Sequence, residues 1–336
     1  YDALHDPANR DLLTIVDRSG IRTHRFFTAS YSADELLAAR DAMAAWARLT
    51  YGFMGRTPDY KAAFMATLGT NPEFYTGYEE NARRWYRRFA SKALYLNHVL
   101  INPPVDRMKP VHEVADVFLH VVRETGAGAI VSGAKMLATG SVLTNATFVA
   151  QNSAVSLEAG KAEDFALVFI APMDTPRTRL ICRPSYEQNA HSPFDHPLSS
   201  RFDENDAVLI FDEALIPWEN FLVYRDTERA NAFYPASGFF NRFNFQAGTR
   251  LAVKLDFMTG LLARGLSYSG TDGFRGVQAA LGEVVAWRTL LWAMTTAMAL
   301  DPQPGPGGSV VPKTEYASTM RIFGTSTWPA IRTIFE

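Results

Sequence analysis

The chain is 336 residues long, 47% hydrophobic, with a formal net charge of −2. That is enough apolar material for one large core or two or three smaller ones, and so small a charge creates no overall field for nucleic acid or an anionic membrane. A lone cysteine, Cys182, excludes an intramolecular disulfide framework and a Cys-rich metal site, which suits a reducing cytoplasm. No apolar run reaches the roughly 18 residues needed to span a bilayer, and residues 1–10 are polar, with no secretory apolar region. The chain opens without Met and stops inside a helical pattern, 318–336, so both ends of the natural protein are expected to lie outside it.

The first segment, 1–102, reads as a helical domain. Ser32-Ala33-Asp34-Glu35 has capping-box spacing, and Leu36, Ala39, Met43, Trp46 and Thr50 follow on one mostly apolar helix face. Helical patterning returns over 57–68 and 72–100, with Glu79/Arg83 and Glu80/Arg84 at the i,i+4 spacing that suits a helix surface. The second segment, 103–224, changes character. Val117-Phe118-Leu119-His120-Val121-Val122 reads as a strand, Gly126-Ala127-Gly128 as a turn and Ala129-Ile130-Val131 as the start of a second strand. Further strands are expected over 165–170, 179–183 and 207–211. No βαβ helix separates them, which predicts an antiparallel sheet or small barrel rather than a doubly wound fold.

The third segment, 225–336, is helical again. One pattern runs over 227–268 and another over 273–300, where Val277, Leu281, Val284, Trp287 and Leu291 share a face. The Pro/Gly-rich stretch 302–312 reads as an exposed loop. A β domain between helical domains predicts concave clefts, where cofactor sites tend to lie.

Most familiar chemistry is missing. Gly126-Ala127-Gly128 joins two strands, so it is no dinucleotide fingerprint, and there is no P-loop, no His-Glu-x-x-His and no Gly-x-Ser-x-Gly. Seven scattered histidines give no metal-ligand spacing. The run Arg83-Arg84-Trp85-Tyr86-Arg87-Arg88 spreads around a helix and reads as a solvated face with acidic partners rather than an RNA surface.

Three clusters remain. In Phe53-Met54-Gly55-Arg56-Thr57-Pro58-Asp59-Tyr60, Gly55 is expected to break one helix, with Thr57 capping the next and Pro58 at its first position. Arg56 then sits in a tight turn with Tyr60 one turn further on, and either both point into one cleft or Arg56 only satisfies a helix end. His98 is placed at the end of a helix before a proline-forced exit, where a lone His is usually structural. The loop Ser192-Pro193-Phe194-Asp195-His196-Pro197-Leu198-Ser199-Ser200-Arg201 is a polar, proline-stiffened candidate for binding.

Those clusters, with His98 continuing as His-x-x-x-Asn-Pro-x-Val-Asp-Arg over 98–107 and with Val-Leu-Ile-Phe-Asp-Glu-Ala-Leu-Ile-Pro-Trp-Glu over 208–219, appear in an order that resembles the 4-hydroxyphenylacetate 3-monooxygenase large-component family. The family also includes chlorophenol monooxygenases and tyrosine-type hydroxylases of antibiotic pathways, and the likeness covers nearly the whole chain. It implies an α+β, acyl-CoA-dehydrogenase-like fold: an N-terminal helical domain (1–102), a central antiparallel β-barrel domain (103–224) and a C-terminal helical bundle (225–336), incomplete here. It implies a homotetramer and an oxygenase component that uses reduced FAD from a separate reductase, and O2, to hydroxylate a phenol to a catechol through a flavin C4a-hydroperoxide.

The phenol contacts of the family fall on Arg56, Tyr60 and His98, which are also the catalytic candidates. The flavin would be lined by His98, Ile101, Asn102, Val105 and Arg107, and met by the turn holding Leu137 and Thr139. Where members acting on 4-hydroxyphenylacetate carry a carboxylate-binding Ser-Thr pair, this chain has Ala150-Gln151, and Phe245 replaces a His found before Gln246. Both departures point to a tyrosine-like substrate, free or tethered to a carrier protein. The alternatives are a chlorophenol monooxygenase that releases halide, and an acyl-CoA dehydrogenase, for which Glu283 would be the base.

Overall fold

The computed structural model describes residues 2–106, 108–152 and 154–336. They fall into two compact units, one of Ile15–Thr28 and Arg56–Phe239, the other of Asp2–Thr14, Ala29–Gly55 and Phe240–Glu336. The principal helices are α1 (Ala33–Arg48), α2 (Pro58–Thr70), α3 (Glu79–Lys92), α4 (Thr227–Ala236), α5 (Phe239–Ser269), α6 (Arg275–Leu300) and α7 (Thr314–Phe335). The principal strands are β1 (Leu96–Val99), β2 (His120–Thr125), β3 (Gly128–Met136), β4 (Ala146–Val149), β5 (Leu167–Pro172), β6 (Thr178–Cys182), β7 (Ala207–Pro217) and β8 (Phe221–Tyr224).

In the first unit α2 is apolar nearly all round, from Ala62 to Leu68, and is accordingly buried on all sides. Thr57 stands at its N-cap and Pro58 at its first position, as expected, but the Thr57 hydroxyl donates to the Asp59 carboxylate instead of capping a backbone N–H. Helix α3 is amphipathic. It buries Ala82, Trp85, Tyr86, Phe89 and Ala90, and Asn81 Nδ2 donates to the Trp218 and Phe221 carbonyls, both at 2.9 Å. Its basic run is a solvated face, with pairs other than the i,i+4 ones expected: Arg83 meets Glu73 at 3.4 Å and Arg87 meets Glu80 at 2.6 Å.

The helical pattern over 72–100 overshoots. Ala93 takes a left-handed conformation at φ 48°, its N–H bonds to the Phe89 carbonyl, and α3 ends. The chain then enters β1, whose four residues are all buried. The His98 expected at a helix end therefore lies on a strand. Neither β1, β4 nor β8 shows the polar alternation of a half-exposed strand, which is why they escape a periodicity reading.

The strands form two four-stranded sheets, ordered β8-β5-β4-β1 and β2-β3-β7-β6. The second is wholly antiparallel, but β1 pairs parallel with β4, in register Leu96↔Ala146 to Val99↔Val149. The expected antiparallel barrel is thus two sheets with no closed barrel among the described residues. The physical reason is that β1 arrives from the helical segment and runs alongside β4 instead of turning back. Val121, Val131, Phe211 and Ile216 from one sheet and Val99, Val149, Phe169 and Phe221 from the other share one apolar core. Gly126-Ala127 makes the tight β2–β3 turn, as expected.

In the second unit the Ser32 half of the expected capping box of α1 is present: its hydroxyl accepts from Glu35 N at 3.1 Å, while the Glu35 carboxylate accepts from Tyr31 N at 2.7 Å, one residue before the cap. Ala44 and Ala47 of α1 pack with Val253 and Trp292. Gly52, at φ 73°, lets the chain pass against α5, where an added Cβ would lie 2.7 Å from the Arg250 carbonyl oxygen. On α6 the expected face is the inner one, with Val284 and Leu291 buried and Val277, Leu281 and Trp287 partly so. Two expectations need correction. The pattern over 227–268 is two helices, α4 and α5, parted at Ser237 and at Gly238 with φ 82°. The stretch 302–312 is a small hairpin of Gln303–Pro304 with Val310–Val311 whose Ser309 and Val311 are buried.

Gly133 sits at a β-bulge in β3 with φ 116°, and a Cβ there would fall on the Phe118 carbonyl. Gly133→Ala is expected to cost about 3 kcal/mol or more. Gly126→Ala, with open space around it, should cost under about 1 kcal/mol. Urea unfolding checks both, and equal costs would refute the bulge argument.

Candidate active site

The candidate residues that the sequence scatters over more than forty positions meet in the first unit. The Arg56 guanidinium carbon lies 4.3 Å from the centroid of the Tyr60 ring, a cation–π contact. The Tyr60 ring is in turn 5.6 Å from the His98 imidazole. Arg56 is held by its backbone: its N–H donates to the Glu204 carboxylate and its carbonyl accepts from the Tyr95 hydroxyl. Behind the imidazole stands an aromatic wall, with Phe64 at 4.9 Å from His98, and Phe148 and Phe239 at 4.9 Å and 4.2 Å from Phe64.

A residue the motif reading passed over sits at the centre. Lys61, 1% exposed, places Nζ 2.9 Å from His98 Nδ1, 3.2 Å from Asn97 Oδ1 and 3.3 Å from the Thr139 carbonyl oxygen. The Thr139 hydroxyl donates to Asp206 Oδ1 at 2.6 Å. The segment before β7 is braced by Arg183, which pairs with Asp203 at 2.5 Å and donates to the Glu204 carbonyl at 2.9 Å. Lys61 had one signal in the sequence, a lone cation in the otherwise apolar run of α2; Glu204 and Asp206 had none.

Burial strongly shifts these groups. Lys61 is held well below the usual lysine range, first by desolvation and then by the Arg56 charge, while Glu204 and Asp206 pull the other way. His98 is likewise driven well below the usual imidazole value by burial, then by Lys61 and Arg56, so it is neutral at pH 7. The Tyr95 hydroxyl is pushed up by burial and by the nearby Glu204 and Asp59 carboxylates.

The residues expected to line a cofactor divide. Ile101 and Asn102 line a cleft of about 390 Å³, whose walls include Pro103, Val111, Phe118 and Val155, with Asn152, Asp106 and Lys109 as its polar groups. Val105 is 59% exposed and does not line this cleft. Arg107 lies outside the described residues. Leu137 takes φ 62° and is exposed, next to Ala138 and Thr139. Ala150 and Gln151 are buried, and their carbonyl oxygens accept from Lys135 Nζ at 3.3 Å and 2.8 Å, from the backbone and side chain respectively. Phe194, in the proline-stiffened loop, is 91% exposed. Glu283, on α6, is exposed and belongs to the other unit.

The cleft suits a planar heteroaromatic group: apolar walls to face its rings, and asparagine side chains for its polar edge. The cationic and hydrogen-bonding groups at Arg56, Tyr60 and His98 suit an oxygen anion on a small aromatic ring.

Residues 1–223 match the model described as 4-hydroxyphenylacetate 3-hydroxylase N terminal, and residues 230–336 the one described as 4-hydroxyphenylacetate 3-hydroxylase C terminal. The pyoverdin chromophore biosynthetic protein PvcC of Pseudomonas aeruginosa is 60% identical over 336 residues, covering 100% of this chain and 67% of that protein. A Streptomyces globisporus monooxygenase named for (3S)-3-amino-3-(3-chloro-4-hydroxyphenyl)propanoyl bound to a peptidyl-carrier protein is 49% identical over 340 residues, covering 100% of this chain and 64% of that one. Among solved structures, the oxygenase component HpaB of 4-hydroxyphenylacetate 3-monooxygenase, complexed with FAD and 4-hydroxyphenylacetate, superposes with a TM-score of 0.91 at 30% identity, covering 99% of this chain and 69% of that one. An acyl-CoA dehydrogenase from Geobacillus kaustophilus, 13% identical with a TM-score of 0.59 over 88% of this chain and 71% of that one, shares the fold alone. The chain spans about two thirds of the length of the curated relatives it matches.

Lys135 offers a separate test of burial. Desolvation lowers its amine to about 7, from 10.5. Between those values the unfolded chain binds a proton that the folded protein does not, so this group makes stability rise with pH across the window, by at most ~1.4 kcal/mol per unit. Lys135→Met should therefore lead wild type most near pH 7 and lose that advantage as pH approaches 10. Urea midpoints across that range check it, and a difference independent of pH would show that Lys135 titrates normally.

Proposed function

This chain belongs to the 4-hydroxyphenylacetate 3-hydroxylase family, and from that premise we propose that it is the oxygenase component of a two-component flavin monooxygenase that hydroxylates a phenol to a catechol. The observation that carries the reading is the convergence of Arg56, Tyr60 and His98 in one cluster backed by aromatic rings. The substrate we infer is tyrosine-like, free or borne on a carrier protein. Two things support that inference: the carrier-bound aromatic substrate named for the Streptomyces relative, and the Ala150-Gln151 pair, which carries no hydroxyl to donate to a free carboxylate.

Reduced FAD from a separate reductase would supply activated oxygen when bound, held by Ile101, Asn102 and the cleft they line. The protein's part is to make the ring electron-rich. A phenolate donates to its ortho carbon far better than a phenol, yet a tyrosine-like phenol ionises only near pH ~10, and lowering that by two units takes about 3 kcal/mol of selective anion stabilisation. Arg56 brings a permanent charge. His98 and Tyr60 bring hydrogen bonds in a site where few waters compete. The rings of Phe64, Phe148 and Phe239 keep that site dry. Assembly as a homotetramer in the cytoplasm belongs to the same proposal. Leu261, Leu290 and Ile322, exposed on α5, α6 and α7, support association of copies through these helices.

The test mixes the protein with reduced FAD without oxygen, then adds O2 with tyrosine, 4-hydroxyphenylacetate, a carrier-tethered tyrosyl group or a chlorophenol. Catechol formed in proportion to flavin oxidised is the expected result, and chloride release would move the assignment to oxidative dehalogenation. Flavin oxidised at its rate in buffer with no catechol would refute the reading. In Arg56→Ala, catechol per flavin should fall at least about tenfold, a loss of ~1.4 kcal/mol or more, with hydrogen peroxide taking its place.

A further inference from the structure

The contacts that solvate Lys61 also fix one of its partners, His98. Its Nζ faces Asn97 Oδ1, His98 Nδ1 and the Thr139 carbonyl, three acceptors for the three hydrogens of an ammonium. Among the described residues Lys61 makes no ion pair, and Asn97 Nδ2 has no hydrogen-bond partner, so the amide is oriented by its oxygen toward Lys61. No protein group among the described residues bonds His98 Nε2, while the ring as a whole keeps 8% exposure. One edge of the imidazole is thus taken by Lys61, and the other is left for whatever enters beside Arg56 and Tyr60.

We propose that Lys61 is a positioning residue for His98: its ammonium donates to Nδ1, confines the imidazole proton to Nε2, and so presents His98 to the substrate oxygen as a hydrogen-bond donor. This rests on the reading of Arg56, Tyr60 and His98 as the phenol-binding group. A neutral amine would fit the same distances by accepting from Nδ1–H, but Nε2 would then turn a lone pair toward the phenol oxygen and act as a base. Charge decides between the two states. The charged groups that act on the pair are Arg56, Glu204 and Asp206, with Asp59, Tyr60 and Tyr95 nearby. Burial and Arg56 favour the neutral amine, while both carboxylates favour the ammonium. A phenolate adds a further negative charge and is repelled by a bare Nε2, so the anion-bound state is the ammonium with Nε2–H. The phenol's proton therefore passes to the buffer, not to His98: one O–H bond is lost, one phenolate is bound and one proton is released.

4-Nitrophenol is the probe, since it titrates near neutral pH and only its anion is yellow. The bound form is expected to ionise at lower pH than the free one, and Lys61→Met should raise its bound pKa by about one unit, a tenfold loss of preference for the anion. Histidine-selective 15N NMR, with His98→Gln for assignment, should find the proton of His98 on Nε2 and Nδ1 bare in wild type. That second measurement needs no Lys61 variant, so it decides the matter even if Lys61→Met, checked by circular dichroism, does not fold. A proton on Nδ1, or a bound pKa indifferent to Lys61→Met, overturns the role of Lys61 alone. Wild-type protein that binds 4-nitrophenol only as the neutral phenol, or binds it equally well after Arg56→Ala, overturns the phenol-site reading and this role with it.

Discussion

The parallel pairing of β1 with β4 is the constraint on which the site depends. All four residues of β1 are buried, so their backbone groups need partners, and the register Leu96↔Ala146 to Val99↔Val149 supplies them from a strand fifty residues later. That register sets His98 opposite Phe148, among rings that fix its plane. It also brings Asn97 and His98 together over Lys61 of α2. Just beyond β1, Ile101 bridges to Met136, and the chain runs on into the wall of the cleft. One short strand therefore aligns both the polar cluster and the edge of the candidate cofactor site.

The electrostatics follow from that geometry. Half-buried Arg56 lies close enough to the buried Lys61 for its charge to lower the proton affinity of the amine. The acidic segment before β7 pulls the other way. Glu204 holds the Arg56 backbone, and Asp206 orients Thr139, whose carbonyl faces Lys61. Burying Lys61 beside a half-buried Arg56 costs stability, and such costs collect where a protein handles charge on a ligand. Lys135 is a contrast: desolvation alone lowers it, and its neighbours are a neutral amide and a carbonyl.

Local signals were legible where one segment carries its own reason for a shape. The Ser32 cap of α1, the Pro58 start of α2, the Gly126-Ala127 turn and the apolar face of α6 each arise from residues a few positions apart, and each is present. Periodicity failed where burial is complete. The chain Leu96-Asn97-His98-Val99 has no polar face to betray a strand, and Ala93 ends α3 without the glycine that usually marks such a stop. The basic run of α3 was legible as a solvated face, but not its partners, because Glu73 lies in another element and Glu80 lies two turns back.

What the sequence by itself determined is the family pattern, the order of helical, β and helical segments, and the identities of Arg56, Tyr60 and His98 as a group worth watching. Only the tertiary structure decided that these three side chains meet, that the β region is two sheets and no closed barrel among the described residues, and that Lys61, Glu204 and Asp206 join them. The reason is physical. Helix caps and tight turns are set by interactions within a few residues, whereas the site depends on strand register and on the burial of charge, and both arise from contacts between segments far apart in the chain.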